Sequence, residues 1–242
     1  MLAIIGGTGL TTMAGLDVLK RQSAETPLGA ASASVVQGTL NGHDLLFLAR
    51  HGHPYKLPPH RINYRANLWA LKQAGATRII GVNAVGGIDA SLLPGALVVP
   101  DQIIDYTVGR ECTYFDGRFK PLKHIDFSWP YRASLRAELL DAGKKAGETL
   151  EDGGIYGCTQ GPRLETAAEI ARMARDGCRL VGMTGMPEAT LARELDIDYA
   201  CLALVVNPAA GMTDREISLA EIDAVISRGI ERVKRVVAAM LE

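Results

Sequence analysis

Short apolar runs alternate with amphipathic stretches along this chain, and several runs stop at polar or glycine-rich segments. Residues 2–5 read as a buried strand running into Gly6-Gly7-Thr8-Gly9, and 44–49 as another ending at Arg50-His51-Gly52. In 62–74, Ile62, Ala66, Trp69 and Ala70 recur near one helical face, and Gly75 supplies a stop. Residues 78–82 form the next predicted strand, which meets Asn83-Ala84-Val85-Gly86-Gly87; 96–99 and 103–104 are shorter candidates. Helices are predicted over 133–146 and 165–175, with a strand at 155–158 between them. A strand at 180–183, a helix at 187–195 with Pro187 in its first turn, and a strong strand at 199–206 follow. The last helix starts at Ser218, with Glu221 three residues on as in a capping box.

Strands alternating with helices imply an α/β fold, a mixed central β-sheet flanked by helices on both faces. Neither a linker nor a repeat interrupts the pattern, so residues 1–242 are read as a single domain. A chain that is 48% hydrophobic can bury a real core, and a net charge of −1 gives no global field for nucleic acid or membrane. The four cysteines, Cys112, Cys158, Cys178 and Cys201, are far apart, a spacing that suits reduced thiols better than zinc or disulfides. The N-terminal apolar run lacks a basic flank and is too short for a signal peptide, so a cytoplasmic protein is expected.

The polar residues gather after strands: Thr8, then Arg50 and His51, then Asn83 and Ala84, then Met183 and Thr184. In open α/β sheets, ligands bind outside the carboxyl ends of strands. Glycine loops let backbone N–H groups approach an anion, Thr hydroxyls add donors, and the Arg50 fork suits phosphate oxygens. Together these residues suggest a phosphate cradle. A dinucleotide-dependent reductase built on the first glycine loop is a rival reading. Counting from Gly7, however, the third glycine of that fingerprint falls on Thr12. His51, His53 and His60 lack an acidic or cysteine partner at ligand spacing, so no metal is expected.

Taken with Leu48-Ala49-Arg50-His51-Gly52, Asn63-Tyr64-Arg65-Ala66-Asn67-Leu68-Trp69, Gly161-Pro162-Arg163 and Met183-Thr184-Gly185-Met186-Pro187-Glu188, the chain resembles one known family. It looks like the methylthioadenosine phosphorylase branch of the trimeric purine nucleoside phosphorylases, over nearly its whole length. The resemblance implies a homotrimer that cleaves an N-glycosidic bond with inorganic phosphate as co-substrate and needs no cofactor. It implies that Thr8, Arg50, His51, Asn83, Ala84 and Thr184 contact phosphate and that Met183 contacts the ribose. Asn83 stands where relatives often carry Thr. His124 matches a residue lent across the subunit interface.

The same resemblance points to a substrate. Adenine-specific relatives place Asp at the positions of Asn207 and Ala209, whereas an Asn at the first position is typical of 6-oxopurine enzymes. Its amide can donate to O6 and accept from N7–H. Glu165 corresponds to a carboxylate that accepts N1–H of hypoxanthine or guanine, although an acid there also suits a first helical turn. Asn207 and Glu165 are thus the expected catalytic pair at the base. Near Ser218, where enzymes for a 5′-hydroxyl generally carry His, this chain has Leu219 and Ile222, as a thiomethyl pocket requires. The expected reaction converts S-methyl-5′-thioinosine to hypoxanthine and 5-methylthioribose 1-phosphate. Methylthioadenosine, or inosine and guanosine, are the alternative substrates.

Overall fold

A computed structural model describes all 242 residues. The first strand, β1 (Leu2–Gly6), is buried along its whole length, and its side chains alternate between two cores. Leu2 and Ile4 join one core, Ala3 and Ile5 the other. A strand buried on both faces belongs at the centre of a sheet that helices cover on both sides. Thirteen strands and five α-helices follow that plan. The strands before the first helix are β2 (Asp17–Gln22), β3 (Glu25–Thr26), β4 (Gly29–Ala30), β5 (Val35–Leu40) and β6 (His43–Ala49). Then come α1 (Tyr64–Gln73), β7 (Arg78–Gly87), β8 (Leu97–Val99), β9 (Gln102–Asp105), α2 (Ala133–Lys145), β10 (Leu150–Asp152) and β11 (Ile155–Cys158). The chain closes with α3 (Ala167–Arg175), β12 (Cys178–Gly182), α4 (Glu188–Glu194), β13 (Asp198–Pro208) and α5 (Leu219–Ala239).

The main sheet has the order β10-β8-β13-β7-β1-β6-β5-β2, and it is mixed as expected. β13, β7, β1 and β6 run parallel at its centre, while β5 and β2 extend one side antiparallel. One core holds α1 and α4 residues such as Leu68 and Leu191. The opposite core holds Leu139 of α2 and Val233 of α5. α3 packs Ile170 and Met173 over Cys178 and Val181 of β12 in a smaller third cluster.

Several boundaries differ from the sequence pattern. The strand expected to stop at 82 runs on to Gly87, so Asn83 and Ala84 lie inside β7 and not in a loop after it. Pairing decides this: β13 pairs with β7 from Arg78 to Gly87, with one shift in register after Val205, and antiparallel β12 takes up Gly86 and Gly87 on the other side. Likewise β13 continues through Asn207 and Pro208. α3 begins at Ala167, with Thr166 as its N-cap in a capping box with Glu169, so Glu165 stands outside the helix. Asn63 caps α1, which therefore starts two residues later than the pattern suggests. At α5, Ser218 caps the backbone of Glu221, but the Glu221 carboxylate pairs with Arg215. The sequence pattern predicts none of β2, β3, β4, β5 and β10.

Candidate active site

The fork in β7 creates the site. One edge of β7 pairs with β1 only as far as Gly81, and β12 pairs with that edge again only at Gly86. Between the two, a cavity of about 580 Å³ opens where β1, β6 and β12 end. This is the kind of opening between diverging strands at which α/β sheets receive ligands. Thr8, Arg50, His51, Ala84, Met183 and Thr184 all line it.

Arg50 is wholly buried at the base of this fork. Because β1 has ended, the Val82 carbonyl is free, and Arg50 Nη1 donates to it at 2.8 Å. The other edge of the guanidinium meets the equally buried Glu188 in a bidentate pair, with Nε and Nη2 each 2.7 Å from a carboxylate oxygen. Tyr199 donates its hydroxyl to Glu188 Oε1 at 2.7 Å. Burial pulls the guanidinium pKa down, but Glu188 more than offsets it and the net shift is upward. Two glycines are needed here. A Cβ on Gly7 would strike Arg50 Nη1 and the Val82 carbonyl, and one on Gly81 would collide with the Tyr199 hydroxyl.

His51 follows directly, its Nδ1 2.8 Å from the Leu57 carbonyl. Burial first, then the Arg50 charge, lowers its pKa to about 4. Asn83 does not line the cavity, contrary to its expected place against phosphate. It lies behind the wall, where Nδ2 donates to Thr184 Oγ1 at 2.6 Å and Oδ1 accepts from the Cys201 thiol at 3.4 Å. With its oxygen occupied as an acceptor, Thr184 has its own hydroxyl proton free to donate into the cavity.

At the far end of the cavity, Glu165 and Asn207 face the same space, with Ala209 beside them. Glu165 Oε1 accepts from the Thr159 hydroxyl at 2.6 Å, which leaves its second oxygen uncommitted. Asn207 sits just after an irregularity in β13, where Val205 pairs with Val85 and Asn207 with Gly86, leaving Val206 as the extra residue. Such a bulge changes which face a side chain takes. The Asn207 amide donates once, to the Pro208 carbonyl at 2.7 Å, and keeps one N–H and its oxygen for a ligand.

A third wall is apolar. Ile217, Leu219, Ile222 and Ile226 line it from the start of α5 and the residues before it. Leu219 is 70% exposed at the mouth, whereas Ile226 is buried. His124 is exposed and does not line its own chain's cavity.

The phosphorylase superfamily profile matches residues 1–242. The chain belongs to the phosphorylase superfamily. A probable S-methyl-5′-thioinosine phosphorylase of Pseudomonas syringae pv. tomato is 54% identical over 239 residues, covering 99% of this chain and 97% of that one. The S-methyl-5′-thioadenosine phosphorylase of Mycobacterium tuberculosis is 43% identical, covering 100% of this chain and 89% of its own length. Among solved structures, methylthioadenosine phosphorylase from Schistosoma mansoni in complex with adenine superposes with a TM-score of 0.94 at 27% identity. That match covers 99% of this chain and 90% of the other.

In this phosphorylase, several supporting residues carry no sequence signal of their role. Glu188 belongs to a motif and Tyr199 to an apolar strand, and nothing local marks either as a support for Arg50. Thr159 carries no motif at all. Arg110, from a segment without regular structure, donates to the carbonyls of Met183 and Met186 at 2.9 and 2.6 Å and of Gln160 at 2.9 Å. One guanidinium thus ties the loop before Glu165 to the loop carrying Thr184. Arginines are common, and only the fold reveals which carbonyls one of them will meet.

Proposed function

We propose that this phosphorylase cleaves S-methyl-5′-thioinosine with inorganic phosphate, giving hypoxanthine and 5-methylthioribose 1-phosphate. The observation that carries this reading is the convergence of Glu165 and Asn207 on one cavity whose remaining wall is apolar. Phosphate would sit at the Arg50 end, held by Thr8, His51, Ala84 and Thr184, with Met183 against the ribose. A phosphate oxygen forms a bond to C1′ as the C1′–N9 bond breaks. The electron pair of that bond passes to the purine, which takes up at N7, through solvent, the proton that hydrogen phosphate gives up on forming the ester. The sugar develops oxocarbenium character that the adjacent anion stabilises, and holding both reactants in line supplies much of the rate.

The base end supports a 6-oxopurine. The free Glu165 oxygen accepts N1–H, while the Asn207 amide donates to O6 and accepts from N7–H. Adenine presents an acceptor at N1, which would oppose a carboxylate. At the other end, Leu219 and Ile222 favour a thiomethyl group, since burying an unpaired hydroxyl costs on the order of 1–3 kcal/mol. The chemistry calls for no metal or organic cofactor. The active form is proposed to be a cytoplasmic homotrimer in which His124 serves a neighbouring subunit's site, acting in purine salvage. No helix is long and apolar enough to cross a membrane.

Phosphorolysis of S-methyl-5′-thioinosine, methylthioadenosine, inosine and guanosine, with and without phosphate, tests the reading. Methylthioinosine should exceed inosine in kcat/KM by roughly ten- to a hundredfold. Faster cleavage of methylthioadenosine would overturn the base assignment, and faster cleavage of inosine the 5′ assignment.

A further inference from the structure

Nearly every polar group at the anion end of the cavity is a donor. The exception is His51. A carbonyl can only accept, so the 2.8 Å contact between Nδ1 and Leu57 O requires the ring proton on Nδ1. Nε2 has no protein partner, and it is not among the buried polar atoms sealed from solvent. The ring is held in place by stacking on Tyr55, with centroids 4.7 Å apart. Its placement beside the Arg50 cation, in a buried setting, disfavours a second proton.

We infer that His51 is a hydrogen-bond acceptor for the bound oxyanion, so that the site selects an anion carrying its own proton, hydrogen phosphate over sulfate. The inference rests on the phosphorolysis reading and deepens it. Thr8, Thr184 and the remaining Arg50 N–H groups can each meet an anion oxygen, and they treat phosphate and sulfate alike. Only Nε2 tells them apart. Hydrogen phosphate turns its O–H toward this lone pair and completes every contact. Sulfate, fully deprotonated at neutral pH, must set an oxygen lone pair against the ring lone pair and leave both without a proton. Arsenate, which keeps a proton at the same pH, satisfies His51 as phosphate does.

The test measures release of hypoxanthine from S-methyl-5′-thioinosine by the wild-type enzyme, with phosphate or arsenate as co-substrate and sulfate as competitor. Sodium chloride holds the ionic strength constant. The apparent constants of phosphate and arsenate should agree within about threefold, and the inhibition constant of sulfate should lie at least about tenfold above them. In His51→Ala the ratio of the sulfate to the phosphate constant should collapse toward one, whichever way each constant moves. A ratio near one in the wild type, or one unchanged in His51→Ala, would overturn the acceptor role. Base release that neither phosphate nor arsenate supports would overturn phosphorolysis itself.

Discussion

Arg50 and Glu188 lie 138 positions apart in sequence and form a bidentate ion pair from which solvent is wholly excluded. The pair aims a guanidinium at the cavity while leaving the floor near neutral, so a phosphate bound there, as proposed, would keep its charge for the developing cation at C1′. Breaking a buried pair strands the surviving charge, at a cost of about 3–5 kcal/mol. Glu188→Gln should therefore lower the melting temperature and raise the apparent phosphate constant more than the nucleoside constant. Tyr199→Phe, which removes one donor to the carboxylate, should do the same more mildly, by about 1–3 kcal/mol. Thermal melts with phosphate saturation curves check both, and equal changes in the two substrate constants would remove Glu188 from the anion site.

Asn83 touches Thr184, not the cavity, so its effect on phosphate should be indirect. In Asn83→Ala the Thr184 hydroxyl loses the donor that orients it. Loss of one oriented hydrogen bond predicts a rise of about tenfold in the apparent phosphate constant, with the nucleoside constant nearly unchanged. Thr184→Val should give a similar phosphate defect, and the double variant little more than either alone. Additive losses in that cycle would show that Asn83 acts elsewhere.

Base choice should move with two positions. Asn207→Asp combined with Ala209→Asp should shift activity from methylthioinosine toward methylthioadenosine, because both side chains open on the base end of the cavity. Glu165→Gln should lower kcat/KM for 6-oxopurine nucleosides by roughly a hundredfold, as one N1–H contact loses its charge. Ratios of kcat/KM for the two nucleosides are the measurement. A Glu165→Gln enzyme that retained full activity on methylthioinosine would leave the carboxylate only a structural place beside Thr159.

His51 should leave a mark on acid stability. The folded chain holds its ring neutral, with a pKa lowered to about 4, whereas the unfolded chain protonates it near the ordinary imidazole value. As pH falls from about 6.5 to about 4, the unfolded state binds the extra proton, so stability drops by about 3 kcal/mol. Above that window the contribution is level. Denaturant melts from pH 7 to pH 4 should show this loss, reduced in His51→Gln. Identical slopes for the two proteins would mean that the ring is not held neutral.

Local pattern along the chain was enough to define the α/β class, the central strands, most helices and the residues Thr8, Arg50 and His51 that line the cavity. Apolar runs stopping at polar turns are encoded within a few residues, and the motifs that resemble a family are equally local. The turn joining β5 to β6 is also local: Asn41-Gly42, both at positive φ, forms its two residues. β2 gave less to read, since nearly all of it is exposed on the sheet edge. The sequence could not reveal that β7 continues through Asn83 or that β13 carries an extra residue before Asn207, because partner strands distant in sequence set both. The partners of Arg50 were equally hidden. Glu188 reaches it from α4 and is itself held by the Tyr199 hydroxyl of β13, and a side chain's role in a buried polar cluster depends on which groups the fold brings into contact, which no local pattern records.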